Sequence, residues 1–377
     1  MEMTTGFEWE MLLLKEDGGF PKKEEIESFG RKIRFAVPGS RCGIDFLRGG
    51  GWMFEARSGI VRGREEIKKR VNEIYERAFS LAEEKKYILL PLGIHPLNGG
   101  ACGLHVHTGT FRRFETALET ANRVFPYTPV FAALAANSPF YLGMRDFLSC
   151  RVLRHADLCS VPPPFEIPEL SRWNWGGDSM PKVGMKPTLE IRVCDAPSFP
   201  DVASEIILFI RETLTLEHPP LTRERYIETI FNKMRVGMDG LRAVIEWNGK
   251  KREVSEIVFE LLERMKNSFP LIRLMAEKRI TQADMWRELP GDGFSLVFDI
   301  AEAVKNRNLF KDYLSSTPSL SPVLFRERDD VLKALINPGD SILLVHTKTF
   351  LPFPMIESFI RKHFKTEFNE EGEEIVL

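Results

Sequence analysis

Two histidines stand one residue apart in a segment that alternates like a β-strand. In GLHVHTGT (103–110), His105 and His107 occupy positions i and i+2, which point to the same face of a strand. Leu104 and Val106 would then face the opposite, apolar side. The histidine pair therefore either covers a solvated surface or lines a site, and the spacing alone allows both.

Three further segments carry ionisable residues two positions apart, with apolar residues between them. The pairs are Glu8 and Glu10, Glu55 and Arg57, and Glu190 and Arg192. An antiparallel sheet with one solvated face would explain such alternation. A solvated face usually mixes Thr, Ser, Lys and Glu, whereas acids, histidines and arginines predominate here. The pattern therefore favours a shared site on one sheet face.

The types of residue in these pairs indicate a metal and phosphate chemistry. Carboxylates crowded together resist ionisation unless cations lie between them. Carboxylate oxygens with one or two imidazoles suit hard divalent ions such as Mg²⁺ or Mn²⁺. Arginines on the same surface would face a negative group that the ions also touch, and a polyphosphate meets both requirements. The chain contains no Walker A sequence for binding it.

The elements that must position these residues follow from hydrophobic periodicity. Short alternating or apolar segments predict strands over 6–14, 51–57, 88–93, 103–109 and 188–194. An amphipathic pattern predicts a charged helix over 64–86, and an apolar helix is predicted over 129–138, before Pro139. The proline-rich stretch 160–187 is typical of a long functional loop. The fold class is therefore α+β.

Three portions are predicted along the chain. Residues 1–200 form the antiparallel-sheet portion that carries the candidate metal and polyphosphate site, and residues 201–289 form a helical portion that packs on the sheet. Residues 290–377 form a C-terminal extension whose end suggests a small strand–helix–strand unit.

Composition excludes several classes of function. The chain has 377 residues, 43% of them hydrophobic, and a formal net charge of −2, which gives no reason to expect nucleic acid or an anionic membrane as a partner. No signal peptide or apolar run of membrane-spanning length is visible, so a cytoplasmic protein is expected. The five cysteines contain no CxxC pair, which favours buried thiols over a disulfide framework. The single glutamine, Gln282, suggests a thermophilic source.

Several motifs in this order resemble the carboxylate–amine ligase family, also called type 2 glutamate–cysteine ligases, which are distant relatives of glutamine synthetase. The resemblance covers roughly residues 5 to 245. The similar segments are GFEWEMLLL (6–14), GIHPLN (93–98), GLHVHTGT (103–110), ALAANSPFYLG (133–143), TLEIRVCDAP (188–197) and NKMRVGMDG (232–240).

The resemblance implies a fold and a set of site residues. The fold would be a twisted antiparallel sheet forming a funnel like the glutamine synthetase catalytic domain, with flanking helices and divalent ions at its base. Five side chains would hold the metal ions: Glu8, Glu10, Glu55, His107 and Glu190. His105 would serve as a further ligand or bind the cofactor or substrate, and Asn137 would either contact the cofactor or only end its helix. Arg192 would face the phosphates, and Arg151 would be a second catalytic arginine.

The implied activity is an ATP- and Mg²⁺-dependent ligation. Transfer of the γ-phosphoryl group to the carboxylate of glutamate, or of a similar acid, gives an acyl phosphate that an amine such as that of cysteine displaces. The partners would be small molecules, and a homodimer is plausible. His-x-His on a strand also forms the first part of the zinc site in metal-dependent amidohydrolases, so a zinc hydrolase is a second possible function. A third is a non-catalytic homologue that binds nucleotide or metal, because Arg145 stands where the family usually has an aspartate.

Overall fold

The fold is taken from a computed structural model. It describes residues 3–47, 50–109, 111–145, 147–154, 178–182, 187–291, 293–328, 330–331, 367–368 and 375–376.

The described strands are numbered in chain order. They are β1 (Thr5–Lys15), β2 (Arg41–Phe46), β3 (Trp52–Arg57), β4 (Tyr87–Leu90), β5 (Gly103–Thr108), β6 (Phe140–Tyr141), β7 (Met144–Arg145), β8 (Ser179–Lys182), β9 (Thr188–Asp195), β10 (Val244–Trp247), β11 (Lys250–Glu253), β12 (Glu367–Phe368) and β13 (Ile375–Val376). Seven of them form one antiparallel sheet in the order β2-β3-β1-β5-β9-β8, with β4 also paired to β1. The other six form three separate hairpin-like pairs.

The described helices are also numbered in chain order. They are α1 (Lys23–Ala36), α2 (Gly63–Lys85), α3 (Phe114–Val124), α4 (Thr128–Ala135), α5 (Cys150–Arg154), α6 (Pro200–Thr213), α7 (Arg223–Asp239), α8 (Val254–Arg264), α9 (Pro270–Lys278), α10 (Gln282–Arg287), α11 (Gly293–Ala303) and α12 (Leu309–Ser316). Among the described residues, no helix is both long enough and apolar enough to cross a membrane.

Alternation along the strands divides the sheet into an apolar and a polar face. Phe7 and Trp9 of β1, with Leu104 and Val106 of β5, are buried in the main hydrophobic core. Helix α1 packs on β2 and β3, α6 packs on β5, and α4 packs on β9. The burial of apolar side chains between sheet and helices is the main stabilising term, and it fixes which residues are left on the polar face.

The predicted mixture of helices with an antiparallel sheet is confirmed, as are the five predicted strands and the helix predicted over 64–86. The apolar helix ends earlier than predicted, at Ala135, because the chain turns before Pro139. The prediction of a loop over all of 160–187 is wrong at Ser179–Lys182, which pair with β9. Residues 160–177 of that stretch lie outside the described residues, as do 341–347 and 353–364 of the predicted C-terminal unit.

Candidate metal and nucleotide site

Strand pairing brings the paired ionisable residues onto one face of the sheet. Residues directly opposite each other on antiparallel strands point to the same side. On β1, Glu8 lies opposite both Arg57 of β3 and His105 of β5. Two more opposed pairs extend the face: Glu10 with Glu55, and His107 with Glu190. Residues from four strands, far apart in the sequence, therefore share one surface.

Three of these side chains converge closely enough to hold one ion. One ligand atom each from Glu8, His107 and Glu190 lies within 4.8 Å of the others. The Nε2 atom of His107 is 3.6 Å from a carboxylate oxygen of Glu8 and 3.6 Å from one of Glu190. Ligand bonds of about 2.0–2.2 Å place neighbouring donors roughly 3 to 3.6 Å apart around a common ion. The spacing and the donor types therefore fit a divalent cation.

Burial of the imidazole nitrogen supports that fit. The Nε2 atom of His107 is buried and has no hydrogen-bond partner among the described residues. A buried polar atom without a partner is destabilising unless a ligand or solvent satisfies it. His107 and the two carboxylates are thus compatible with a metal ion by geometry and by chemistry.

His105 lies beneath this group and is almost fully buried. Its Nδ1 atom is 3.3 Å from Glu8 and 3.7 Å from Glu190, and its Nε2 atom is 3.7 Å from Glu10. Burial, together with the nearby Arg192 guanidinium, lowers the pKa of His105 well below its ordinary value. The neutral ring can donate from Nδ1 to Glu8, which would orient that carboxylate.

Arg192 stands beside the three-residue group. Its Nη1 atom donates to Glu190 at 2.8 Å, and its side chain is 18% exposed. The Nε atom is buried without a hydrogen-bond partner in the part of the chain that the structure describes. A guanidinium that is fixed by one hydrogen bond and has another N–H group without an acceptor is well suited to bind an anion.

Glu10 and Glu55 form a second carboxylate pair next to the first group. Burial raises the pKa of Glu10 to about 7, although the Arg151 guanidinium opposes the change, and burial also raises the pKa of Glu55. Glu10 accepts from the backbone N–H of Gly103 at 2.6 Å, and Glu55 accepts from Arg57 at 2.5 and 2.9 Å. Both carboxylates are therefore on the predicted face but outside the three-residue group.

Two predicted site residues have contacts of a different kind. The buried Asn137 amide donates to the carbonyl of Ala196 and to Ser198, and it accepts from Trp286 Nε1 at 2.8 Å. These contacts give Asn137 a structural role and do not support cofactor binding, because the polar atoms of its side chain are already engaged. Arg151 is 2% exposed and donates to the carbonyls of Arg192 and Val193. Its guanidinium lies under the strand, which does not support direct catalytic contact.

Some residues around the site were not found from the sequence. Pairing of β2 with β3 puts Arg41 opposite Arg57 and Gly43 opposite Glu55 on the polar face. A Cβ at Gly43 would lie 2.9 Å from a Glu55 carboxylate oxygen, so the absent side chain makes room for the Glu55–Arg57 pair. The alternation in RCGIDF (41–46) was a weak signal, because Gly43 interrupts it.

Comparison with solved structures finds a similar fold in two ligases. The chain aligns with glutamate–cysteine ligase of Francisella tularensis in complex with AMP, at 10% identity over 96% of this chain and 98% of that one, with a TM-score of 0.52. It also aligns with a bifunctional glutathione synthetase of Pasteurella multocida, at 14% identity over 83% of this chain and 54% of that one, with a TM-score of 0.52. At these identities the likeness concerns the fold.

Sequence comparison finds partial matches to one family of ligases. Residues 99–174 match the model of Glutamate-cysteine ligase family 2 (GCS2). A relative provisionally named glutamate–cysteine ligase 2 in Solibacter usitatus is 24% identical over 57% of this chain and 69% of its own length, and one in Nitrosospira multiformis is 27% identical over 44% and 50%. The chain thus spans about half the length of the second relative. These matches support the resemblance found in the sequence: parts of this chain are similar to the type 2 glutamate–cysteine ligases.

Proposed function

We propose that this chain is an ATP- and Mg²⁺-dependent ligase that joins the carboxylate of glutamate, or of a similar acid, to an amino acid or another amine. Its relatives carry the name of such a ligase, and the fold matches two structures of ligases. A carboxylate is a poor electrophile, so it must be activated before an amine can attack it. Phosphoryl transfer from ATP supplies that activation as an acyl phosphate, which the amine then displaces.

The observation that carries the proposal is the convergence of Glu8, His107 and Glu190, with Arg192 bonded to the last of these. Divalent ions bound there would neutralise charge on the phosphates and polarise the transferred group. Glu8, His107 and Glu190 would hold one ion, and the adjacent Glu10 and Glu55 are the candidates for another.

The arginines of the face would act on the anionic substrate. Arg192 would direct its unsatisfied Nε–H towards a phosphate oxygen while Glu190 holds its other edge. Fixed donors of this kind stabilise charge that develops during the reaction, because they need no reorientation when it forms. Neutral His105 would keep Glu8 oriented for its ion.

The donor set favours the ligase over the zinc hydrolase reading. Around the ion site it consists of two carboxylates and one imidazole, with two further carboxylates on the same face. Ligand sets that consist mostly of oxygen atoms suit Mg²⁺ or Mn²⁺, whereas catalytic zinc sites contain more histidine ligands. The described residues His95 and His218 lie elsewhere, in a turn and beside Thr213 respectively.

The proposal also includes the shape of the fold and the assembly of the chain. The sheet with its polar face would be the floor of a glutamine synthetase-like funnel, with nucleotide and acid entering from different sides. The chain would act as a homodimer, which light scattering after size-exclusion chromatography would measure.

The direct test is a phosphate-release assay with ATP, Mg²⁺, glutamate and a panel of amines that includes cysteine. We expect phosphate release that depends on both an acid and an amine, with the amide product seen by mass spectrometry. Omission of the amine gives the background rate. Nucleotide binding without any amide product would favour the non-catalytic reading, and tightly held zinc with amide hydrolysis would favour the hydrolase.

A further inference from the structure

The strand that carries Glu190 and Arg192 contains one extra residue opposite β5. Leu104 pairs with Cys194, whereas Val106 pairs with Ile191, so the two residues Arg192 and Val193 lie opposite His105 alone. An extra residue of this kind is a β-bulge, which re-aims side chains and leaves strand carbonyls without their usual partners. The bulge therefore lies directly behind the candidate site.

The guanidinium of Arg151 occupies the position where those carbonyls need donors. Its Nη2 atom donates to the carbonyl of Arg192 at 3.0 Å, and its Nη1 atom donates to that of Val193 at 3.2 Å. A planar guanidinium can bridge two adjacent acceptors, which an ammonium group cannot do in one fixed geometry. The buried Arg151 side chain thus provides a hydrogen-bond donor for the carbonyl of each bulge residue.

The bulge also changes which residue of β9 lies opposite Gly103. Gly103 lies opposite Asp195, and without the extra residue Cys194 would take that place. The Asp195 carboxylate accepts from Ser138 at 2.6 Å and from Ser149 at 2.9 Å, while Ser138 also accepts from the backbone N–H of Arg151. Asp195 therefore ties the end of the bulged strand to the start of α5.

Helix α7 supports this arrangement through contacts with Ser149, Leu153 and Asp178. The carbonyl of Gly237 accepts from the N–H of Ser149 at 2.8 Å, and a Cβ at Gly237 would lie 2.8 Å from Leu153. Lys233 on the same helix donates to Asp178 at 2.7 Å, and the carbonyl of Asp178 accepts from the N–H of Arg192. The motif NKMRVGMDG (232–240) therefore supports the backbone of Arg192 through two separate routes.

We propose that Arg151 is a positioning residue: it holds the β9 bulge and thereby aims Glu190 and Arg192 at the metal ion and the phosphates. The inference rests on the proposed function for what Glu190 and Arg192 bind. Arg151 itself would not touch the substrate, because it is 2% exposed and its two terminal nitrogens donate to the carbonyls of Arg192 and Val193. It would act through the two residues whose main chain it fixes.

The test compares Arg151→Lys and Arg151→Met with a matched control, Leu262→Ala, which removes a buried side chain from α8 away from the site. For Arg151→Lys we expect Mn²⁺ binding, followed by electron paramagnetic resonance, to weaken about tenfold. We expect kcat to fall about 100-fold with KM for ATP changed much less, because the loss is felt when charge develops on the phosphates. Leu262→Ala should lose thermal stability but keep both values.

Hydrogen exchange tests independently of activity whether Arg151 holds the β9 bulge. Amides of 188–195 should exchange faster in Arg151→Lys than in the unaltered chain, while those of α8 should not change. Unchanged exchange in β9, or equal losses of Mn²⁺ affinity and kcat in Leu262→Ala, would overturn the positioning role. If the unaltered chain bound neither Mn²⁺ nor ATP, the proposed function would fail, and the exchange of 188–195 would still decide whether Arg151 holds the bulge.

Discussion

Individual side chains in the candidate site are held by compensating charges. Glu190 accepts from Arg192, Glu55 accepts from Arg57, and Glu8 lies 3.4 Å from the Nε atom of Arg57. Hydrogen bonding to Glu55 holds the pKa of Arg57 above its ordinary value. Each carboxylate is thus already oriented by a partner before an ion arrives, which reduces the reorganisation that binding requires.

Arg192 offers the clearest prediction at the level of one residue. Replacing it with glutamine removes a cation from the polar face and leaves Glu190 without its 2.8 Å donor. We expect kcat for ligation to fall by about 10²–10³-fold, the usual loss when one preorganised charge-stabilising group is removed. Steady-state kinetics with saturating ATP and glutamate measures this loss.

The exposed Arg31 on α1, whose side chain is 63% exposed, provides the control. Arg31→Gln should keep kcat and KM within about twofold, because solvent screens its charge. Equal kcat values in Arg192→Gln and the unaltered chain would show that Arg192 does not face the reacting phosphate.

The sequence alone could identify which residues share a face, but not how close they come. Strand alternation placed Glu8 with Glu10 and His105 with His107, since that relation depends only on the period of two. The distances that separate Glu8, His107 and Glu190 from Glu10 and Glu55 depend on strand order and register, which alternation does not contain. The contacts of Asn137 could not be predicted either, because its partners Ala196, Ser198 and Trp286 are remote in the sequence.

At the level of elements, the bulge in β9 and the close packing of α5 determine the site. Gly103 on β5 is where these elements meet, since a Cβ there would lie 2.4 Å from Nη2 of Arg151 and 3.0 Å from Nε2 of His105. No side chain fits without displacing the buried guanidinium.

Gly103→Ala should therefore lower the free energy of unfolding by about 1–3 kcal/mol, the usual effect of overpacking a tight interior. Urea denaturation followed by circular dichroism measures the change. Gly19→Ala is the control, because its nearest neighbour is the side chain of Asp17, which can move. A variant as stable as the unaltered chain would contradict the packing of Arg151 against β5.

The turn between β4 and β5 gives a prediction for pH. The Nδ1 atom of His95 accepts the N–H groups of Leu97 and Asn98, and burial lowers the pKa of His95 to about 4. The unfolded chain binds this proton near pH 6.5, so the contribution of His95 to stability is lost as the pH falls from about 6.5 to about 4. Between pH 7 and pH 5 the loss amounts to roughly 2 kcal/mol.

His95→Asn should remove that part of the pH dependence, because the amide oxygen can accept the same N–H groups without binding a proton in this range. The difference in free energy of unfolding between pH 7 and pH 5, compared in the two proteins, isolates His95 from the other titrating groups. Identical pH slopes would show that His95 is not held neutral in the turn.

Over the whole molecule, hydrophobic periodicity identified the central strands but missed α1 and β2. Helix α1 contains Gly30 and β2 contains Gly43, and each glycine weakens the local signal of its element. The two elements need these glycines for packing, since a Cβ at Gly30 would lie 3.0 Å from that of Cys42. Tertiary approach here overrides local propensity, which a single sequence does not reveal.

Under the proposed function, one sheet gathers ligands from distant segments to hold a divalent ion for a nucleotide. Titration of Mn²⁺ by electron paramagnetic resonance, with a non-hydrolysable ATP analogue present, measures this property in solution. The matched variants are Glu190→Gln, which alters a buried ligand candidate, and Glu119→Gln, which alters an exposed acid on α3.

We predict that the unaltered chain and Glu119→Gln bind Mn²⁺ with equal affinity, and that Glu190→Gln binds it at least about tenfold more weakly. Equal binding by all three proteins would contradict a metal site formed by Glu8, His107 and Glu190.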